Sequence, residues 1–345
     1  MLLRAVMLLL LVVAAPAQSN TLKNHPSPYL ALHGDDPVAW REWQASTLNL
    51  AQQQNKLLFV SVGYFSCHWC HVMQRESFAD AAIAEQLNTH FVPVKVDREL
   101  HPVLDKRLID FVQATLGRAG WPLNVILTPE GYPLTGATYL PKAHFNDALR
   151  RIAQYWQSEP DRLRQDARDM HAQMARGANA SDQKGTASSL GANRGALLAQ
   201  LQQQADKLEG GFGQQNKFPM AMQLRSLLRL NRRERREDID DYLQLTLDQM
   251  QNVGLHDQIS GGFFRYTVDP GWETPHFEKM LYTNALLAEL FMEASVQYAR
   301  EDYRETAIQT LTFVGRDMRA QGGGFISSLS AIDDQDVEGG FYLFE

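Results

Sequence analysis

The spacing of apolar residues predicts alternating strands and helices in the first half of the chain and helices alone in the second half. Short apolar runs predict four strands, at 57–62, 91–96, 123–127 and 132–139. Amphipathic spacing predicts helices over 37–54 and 100–116, and a third helix is expected to begin at the cysteine pair. Strands that alternate with helices predict a compact α/β sheet domain with helices on both faces.

Beyond Pro141 the pattern becomes helical, and one stretch interrupts it. Residues 177–193 are rich in Gly, Ala, Ser and Asn without an apolar period, which predicts a linker. Five helical segments follow, near 194–208, 219–233, 238–253, 276–299 and 302–320. We therefore expect a domain over 18–176 and a helical region over 194–345.

A Gly-Gly-Phe sequence recurs between the helical segments. It occurs four times, at 210–212, 261–263, 323–325 and 339–341. Helix pairs joined at such corners predict a repeated α-hairpin in which each pair packs against its neighbours. The alternative is four unrelated glycine turns.

The N-terminal residues have the three regions of a secretory signal peptide. Arg4 precedes an apolar run from Ala5 to Ala15, and Pro16 and Ala17 follow. We expect cleavage after Ala17, so that residues 1–17 are removed. The run is shorter than the roughly twenty residues that span a bilayer, so an uncleaved anchor is the weaker alternative. The mature protein is therefore expected to be periplasmic or secreted, in an oxidising compartment.

Composition excludes some function classes. The 345 residues are 44% hydrophobic and 21% charged, which is enough to form a buried core. Lys and Arg total 33 against 40 Asp and Glu, a net charge of -7, without a basic tract. A nucleic-acid partner is therefore not expected.

The two cysteines lie in Cys67-His68-Trp69-Cys70-His71, directly after a predicted buried strand. At a helix start, free backbone N–H groups and the positive end of the helix dipole favour thiolate over thiol, so Cys67 is expected to be the nucleophile. Cys70 lies one helical turn on and is expected to resolve a mixed disulfide. His68 and Trp69 would tune the redox potential.

Two other interpretations of the cysteine pair remain open. Cys67, Cys70 and His71 could bind zinc, but zinc normally takes four ligands and no second ligand pair is evident. The pair could also be an inert local disulfide. We predict no metal and no cofactor, with protein thiols or disulfides as substrates and a redox partner protein.

Gly120-Trp121-Pro122 stands immediately before the third predicted strand. Proline lacks a ladder donor and fits best at the first residue of a strand. If the Trp121–Pro122 bond is cis, the backbone before Pro122 is free to hydrogen-bond with an extended substrate peptide. The alternative is an ordinary turn with a trans bond.

Several sequence motifs resemble the spermatogenesis-associated protein 20 family. They are Ser27-Pro28-Tyr29-Leu30, Asp36-Pro37-Val38-Ala39-Trp40, Cys67 to Met73, Val96-Asp97-Arg98-Glu99 and Gly120 to Val125, and later Lys217-Phe218-Pro219 and Pro275 to Tyr282. The resemblance implies a thioredoxin-like N-terminal domain followed by an all-α region similar to the (α/α)6 toroid of sugar epimerases and glycosidases. With five predicted helices, that toroid is expected to be partial here.

The resemblance also raises a question about proton transfer. Thioredoxin has a buried aspartate on the strand that leads to its cysteines, and Ser61 takes that place here. Another group must then exchange the proton of Cys70, and His68 and His71 are the nearest candidates. A packed surface imidazole is the alternative for both.

The helical half carries a candidate second site. His256 and Asp257 precede the second glycine corner, and His276 and Glu278 open a predicted helix. A histidine with carboxylates could perform general acid–base work on a carbohydrate, which makes a carbohydrate-active or carbohydrate-binding protein the alternative function. Capping and helix-dipole roles are the structural alternative.

Overall fold

The computed structural model describes residues 19–181, 189–335 and 337–343. The chain divides into two compact units, one of residues up to Tyr64 with Trp69–Arg176, the other of Phe65–His68 with the residues from 177 onward. The predicted signal peptide, residues 1–17, lies outside the described residues. In the described ranges, no helix combines the length and apolarity needed to cross a membrane.

The first unit is built on a four-stranded mixed sheet. Its strands are β1 (Leu57–Gly63), β2 (Phe91–Asp97), β3 (Leu123–Leu127) and β4 (Pro133–Ala137), in the spatial order β2-β1-β3-β4. Strand β1 pairs parallel with β2 and antiparallel with β3, and every residue of these three strands is buried. Strands covered on both faces need continuous apolar runs, which is why the sequence pattern located them.

Helices connect and cover this sheet. They are α1 (Pro28–Leu32), α2 (Ala45–Gln54), α3 (His68–Met73), a π-helical turn (Gln74–Phe78), α4 (Ala81–His90), α5 (Pro102–Leu116), α6 (Lys142–Ser158) and α7 (Pro160–Ser181). A parallel strand pair requires a crossover connection, and α3, the π-helical turn and α4 supply it between β1 and β2. The cysteine pair therefore lies at the end of the central strand, where the crossover begins.

One predicted helix is shorter than expected. Helix α2 begins at Ala45 rather than at Pro37. The residues before it are extended, and Arg41 forms a backbone bridge to Val94 of β2. Trp40 is fully buried. The apolar residues of 37–44 were thus wrongly assigned to a helical face, because they pack as an extended segment beside the sheet.

The second unit is mainly helical. Its helices are α8 (Ser189–Gln204), α9 (Ala221–Glu234), α10 (Glu237–Asn252), α11 (Leu281–Tyr298) and α12 (Glu301–Asp317). The loops that follow α10 and α12 contain two antiparallel pairs of two-residue strands. In one pair β5 (Tyr266–Thr267) lies against β6 (Pro275–His276), and in the other β7 (Lys279–Met280) lies against β8 (Ser328–Leu329). The helix expected from 276 begins only at Leu281, since 275–280 is extended. Helix also occupies much of the predicted linker 177–193, where α7 ends at Ser181 and α8 begins at Ser189.

Two of the Gly-Gly-Phe corners share one construction. In both, the two glycines have positive φ, a conformation that glycine adopts without steric penalty. Backbone bridges join Ala205 to Phe212 and His256 to Phe263, across loops of equal length. A buried lysine then crosses each loop: Lys217 Nζ donates to Asp206 and to the Gly210 carbonyl, and Lys279 Nζ donates to Asp257 and to the Gly261 carbonyl.

Candidate functional site

A disulfide joins Cys67 and Cys70 where β1 gives way to α3. Cys67 immediately precedes the helix and Cys70 lies within its first turn. Both residues are buried, with 2% and 1% of their surface exposed. The strand-to-helix placement predicted from the sequence is therefore present, and the pair can exist as a disulfide within this backbone.

Trp69 and His71 flank Cys70 on the first unit. The indole of Trp69 is 46% exposed and packs against the ring of Tyr139 at 5.0 Å between centroids. Tyr139 in turn donates a hydrogen bond of 2.5 Å to Glu76. His71 is half-buried in α3. Trp69 is thus a large apolar surface beside the disulfide.

A lysine of β2 is buried next to β1, the strand that leads to the cysteine pair. Lys95 Nζ donates a hydrogen bond of 3.1 Å to Ser61 Oγ. The ammonium group lies over the rings of Tyr29, Trp40 and Phe78, at 5.4, 5.0 and 4.4 Å from their centroids. Burial lowers the pKa of Lys95 to about 7, against the opposing effect of Asp36. Ser61, the residue expected to take the place of thioredoxin's aspartate, is therefore hydrogen-bonded to a buried lysine.

Next to this lysine, His33 and Asp36 form a buried hydrogen-bonded pair. His33 Nδ1 lies 2.7 Å from Asp36 Oδ2, which also accepts from Trp40 Nε1 at 2.9 Å. Burial lowers the pKa of His33 to about 4, and the nearby charge of Lys95 acts in the same direction. Burial opposes ionisation of Asp36, but the hydrogen bonds from His33, Gln74 and Trp40 hold its pKa below the usual value. His33 is therefore neutral at physiological pH.

The Trp121–Pro122 peptide bond is cis, which decides between the two alternatives that the sequence left open. The indole of Trp121 is held by two groups: its Nε1 donates to Asp105 Oδ1 at 2.7 Å, and the Arg98 guanidinium lies 4.0 Å from its ring centroid. Burial raises the pKa of Asp105, against the opposing hydrogen bond from Trp121 and the charge of Arg98. The orientation of Trp121 is thus fixed by polar contacts.

In the second unit, His68 meets a group of charged residues. Its backbone N–H donates to Glu278 Oε1 at 3.4 Å, and its Nε2 lies 3.7 Å from Glu338 Oε2. His276 bridges the same two carboxylates, with Nε2 3.5 Å from Glu278 and Nδ1 2.7 Å from Glu338. Arg265 donates to the other oxygen of Glu278 at 2.8 Å. The structure thus brings His68, His276 and Glu278 together.

Glu278 is ionised despite being 1% exposed. Burial by itself would raise the pKa of this carboxyl, but the hydrogen bond from His276 and the charge of Arg265 hold the pKa below its usual value. The carboxylate is therefore a fixed negative charge beside the residue that follows Cys67.

The other two candidates of the helical half lie in a different environment. Asp257 is the loop carboxylate that pairs with Lys279 at 2.5 Å. Burial would raise its pKa, but the Lys279 hydrogen bond and backbone amides hold the pKa below its usual value. The ring of His256 packs against the ring of Phe263 at 4.7 Å between centroids and 35° between ring planes, and both of its ring nitrogens are buried. Within residues 19–181, 189–335 and 337–343, no group of three or more His, Cys, Asp or Glu side chains is arranged to hold a metal ion.

Sequence comparison places this architecture among known proteins. Residues 19–175 match the Thioredox_DsbH family, described as a protein of unknown function, DUF255. Spermatogenesis-associated protein 20 of Rattus norvegicus is 36% identical over 94% of this chain, and the Homo sapiens protein is also 36% identical over 94%. The chain is homologous to spermatogenesis-associated protein 20. It covers 43% of the length of each of these relatives.

Several solved structures are similar to part of the chain. A cellobiose 2-epimerase from Spirochaeta thermophila is 20% identical, covers 43% of this chain and 41% of its own, and has a TM-score of 0.36. A DsbH oxidoreductase is 19% identical, with coverage of 34% and 85% and a TM-score of 0.28. A thioredoxin from Thermus thermophilus is 22% identical, with coverage of 34% and 87% and a TM-score of 0.29. The family match over residues 19–175 and the observed mixed sheet confirm the predicted thioredoxin-like domain, and the second unit is mainly helical as predicted.

Sequence reasoning missed the residues behind the cysteines. Tyr29, His33 and Lys95 come from segments far from the cysteine motif, and only the fold brings them together. One signal was available, because a lysine in the otherwise apolar Phe91 to Val96 run must be buried if that run is a central strand.

Proposed function

We propose that this protein is a thiol–disulfide oxidoreductase of the thioredoxin type. The observation that carries the proposal is the Cys67–Cys70 disulfide at the junction of a central buried strand and the crossover helix of a thioredoxin-like sheet. A local disulfide used only for stability has no need of this position, where backbone N–H groups and the helix dipole favour a thiolate.

The reaction we propose transfers two electrons between protein thiols and disulfides. In the reduced protein, the Cys67 thiolate attacks one sulfur of a substrate disulfide, and the other substrate sulfur leaves as a thiolate and takes up a proton. Cys70 then loses its proton and attacks Cys67 Sγ, which breaks the mixed disulfide and releases the second substrate thiol. The protein is oxidised and the substrate reduced, and the reverse sequence oxidises a substrate dithiol. Trp69 and Trp121 would contact the substrate chain beside the reacting sulfurs.

The decisive experiment is a redox titration of the protein in graded glutathione buffers, with acid quench, thiol alkylation under denaturing conditions and intact mass. We expect a reversible two-electron transition between about −120 and −270 mV, the range of working oxidoreductases. In the same assay, Cys70→Ser should accumulate a mixed disulfide with glutathione at Cys67, whereas Cys67→Ser should accumulate none. A pair that stays oxidised across the whole range would overturn the proposal.

We propose further that the protein is exported to the periplasm or secreted. The support is the sequence of residues 1–17, with Arg4, the apolar run and Ala17 in the order of a signal peptide. N-terminal sequencing of the protein purified from its native cells should begin at Gln18. Recovery of the intact N-terminus from the cytoplasmic fraction would contradict export.

A second candidate function, carbohydrate binding or conversion by the helical half, has one observation in its favour. Phe218 is 40% exposed and stacks on Tyr266, which stacks on His276 beside Glu278. The exposed ring of Phe218 offers a flat apolar surface to a sugar, and a His–carboxylate pair can perform general acid–base work. Calorimetry with cellobiose and mannose should show binding that is lost in Phe218→Ala and kept in Cys67→Ser. Failure to bind or convert either sugar would contradict this candidate.

A further inference from the structure

A buried tyrosine hydroxyl lies beside the second cysteine. A methyl group built on Gly63 would meet Tyr29 Oη at 2.2 Å and Cys70 Sγ at 2.7 Å. The two atoms therefore face each other across the bare backbone of Gly63, separated by no more than the sum of those distances, about 5 Å. Only a residue without a side chain at 63 leaves this approach open.

In the disulfide form the Tyr29 hydroxyl makes no hydrogen bond to any of the residues that the structure describes. Tyr29 is 1% exposed, and its Oη has no hydrogen-bond partner among the described residues. A buried hydroxyl without a partner is unfavourable, and such groups in native structures call for an explanation. A disulfide sulfur is a weak acceptor, whereas a thiolate is a strong one. The acceptor that suits Tyr29 thus exists only after reduction.

We propose that Tyr29 is the residue that stabilises the Cys70 thiolate, by donating the hydrogen bond that the disulfide form leaves unmade. This inference rests on the proposed oxidoreductase function and names the group that assists its resolving step. Removal of the Cys70 proton leaves a buried negative charge on sulfur, and the Tyr29 hydroxyl lies within reach of it. The proton itself leaves to solvent or buffer, since Tyr29 remains protonated throughout.

The surroundings of Tyr29 suit a permanent donor. The charged and titratable groups that face it are Asp97, Asp36, Lys95 and His33, and His71 follows Cys70 in α3. Burial, with the charges of Asp97 and Asp36, raises the pKa of Tyr29 well above its ordinary value. The phenol therefore stays neutral and cannot act as a base. Its ring is fixed by the edge-on contact with His33 at 5.2 Å and by Lys95.

The test compares Tyr29→Phe with wild type and with Tyr132→Phe, a matched loss of a hydroxyl in the same unit. The ring of Tyr132 packs on His171 at 5.3 Å. Each protein is reduced, exposed briefly to oxidised glutathione, and acid-quenched, and intact mass follows the conversion of the Cys67–glutathione adduct to the Cys67–Cys70 disulfide.

We expect Tyr29→Phe to raise the pKa of Cys70 by about one unit, which lowers its thiolate fraction about tenfold at pH 6 to 7. The rate constant of the thiolate itself rises about threefold, because a more basic thiolate is a better nucleophile. Resolution should therefore slow about threefold at pH 6 to 7 and recover above pH 9, with Tyr132→Phe unchanged at every pH. A rate–pH profile for Tyr29→Phe that matches wild type would overturn the proposal.

A second measurement separates this role from a merely structural one. At pH 10, where Cys70 is a thiolate in both proteins, Tyr29→Phe should lower the thermal stability of the reduced protein. It should leave that of the oxidised protein unchanged or higher, because the hydroxyl removed has no hydrogen-bond partner there among the described residues. At this pH its dithiol should be about tenfold easier to oxidise by glutathione, a shift of about 30 mV for a two-electron couple, and at pH 6 to 7, where Cys70 is a thiol in both proteins, the potential should not shift. Equal destabilisation of both redox forms would overturn the proposal. If the wild-type cysteine pair is not reversibly reduced and oxidised in these buffers, that result contradicts the oxidoreductase function itself and not only the role of Tyr29.

Discussion

Lys95 Nζ donates a 3.1 Å hydrogen bond to Ser61 Oγ, and the two residues are direct partners in the register of the parallel strands β1 and β2. Neither is more than 1% exposed. A buried ammonium group is strongly unfavourable unless it is paired, and here a neutral hydroxyl and three aromatic rings surround it. The interior of the sheet therefore carries a cation that is close to losing its proton.

The first prediction concerns Lys95→Met and the pH dependence of stability. The pKa of Lys95 is lowered to about 7 in the folded protein, so between pH 7 and its unfolded pKa the unfolded chain binds more protons. The free energy of unfolding should accordingly rise with pH above 7, by up to about 1.4 kcal/mol per unit. Lys95→Met should be more stable than wild type at pH 6 and should lack this rise.

Urea unfolding of the oxidised proteins at pH 6, 7, 8 and 9 would measure this effect. Lys106→Met is the matched control, since Lys106 is 75% exposed in its side chain and pairs with Asp110 on the surface of α5. Parallel pH curves for wild type and Lys95→Met would show that Lys95 keeps an ordinary pKa.

The second prediction concerns Glu278→Gln. The Glu278 carboxylate accepts from the His68 amide at 3.4 Å, so a negative charge lies close to the residue after Cys67. A nearby negative charge disfavours a thiolate. Its removal should lower the pKa of the Cys67 thiol, by about one unit for a buried neighbouring charge.

The rate of iodoacetamide alkylation of the reduced protein, followed by mass against pH, would report this pKa. Glu338→Gln is the control, because the side chain of Glu338 is 39% exposed and solvent screens it more strongly. A Cys67 pKa that rises in Glu278→Gln would contradict the electrostatic assignment.

The third prediction concerns the loop anchors of the second unit. Lys279 has no exposed side-chain surface, and Asp257 is 7% exposed in its side chain. Removing one partner of a buried pair leaves an uncompensated charge, at about 3–5 kcal/mol. Asp257→Asn should therefore destabilise the protein by about 3 kcal/mol in urea unfolding. Asp206→Asn should have a smaller effect, since Asp206 is 12% exposed and faces solvent more.

If Asp257 were instead a catalytic acid, Asp257→Asn would abolish a sugar reaction while leaving the unfolding midpoint in place. The equivalent geometry of Lys217 and Asp206 in another glycine corner supports the structural role.

The fourth prediction concerns Gly63→Ala. The added methyl would lie 2.2 Å from Tyr29 Oη and 2.7 Å from Cys70 Sγ, far inside van der Waals contact. We expect a loss of about 1–3 kcal/mol, typical of overpacking. Gly120→Ala is the control, because a methyl there meets nothing within 4 Å. Equal midpoints for both variants in thermal unfolding would contradict a tight approach at Gly63.

The sequence pattern located the central strands because they are buried on both faces. The predicted run at 57–62 is β1 apart from Gly63, and 123–127 coincides with β3. Periodicity failed at 37–44 and 276–280, which are extended because they pair with other strands of the fold instead of forming helical turns.

The candidate site was only partly predictable, for a similar reason. The cysteine pair is a local motif and could be identified directly. Tyr29 lies 41 positions before Cys70 and Lys95 lies 34 positions after Ser61, so their roles depend on the register of β1 with β2 and on the placement of α1. No local pattern encodes such contacts.

The short helix α1 places a residue of the N-terminal segment beside the cysteine pair. Ser27 caps this helix and also donates to Asp97 at the end of β2, at 2.6 Å. The position of Tyr29 near Cys70 is thus fixed by residues that precede the first strand. A fragment that keeps the Cys67–Cys70 pair together with Tyr29 must therefore begin before Ser27, and grafting only the cysteine motif and the four strands onto another scaffold would transfer the sulfurs without this tyrosine.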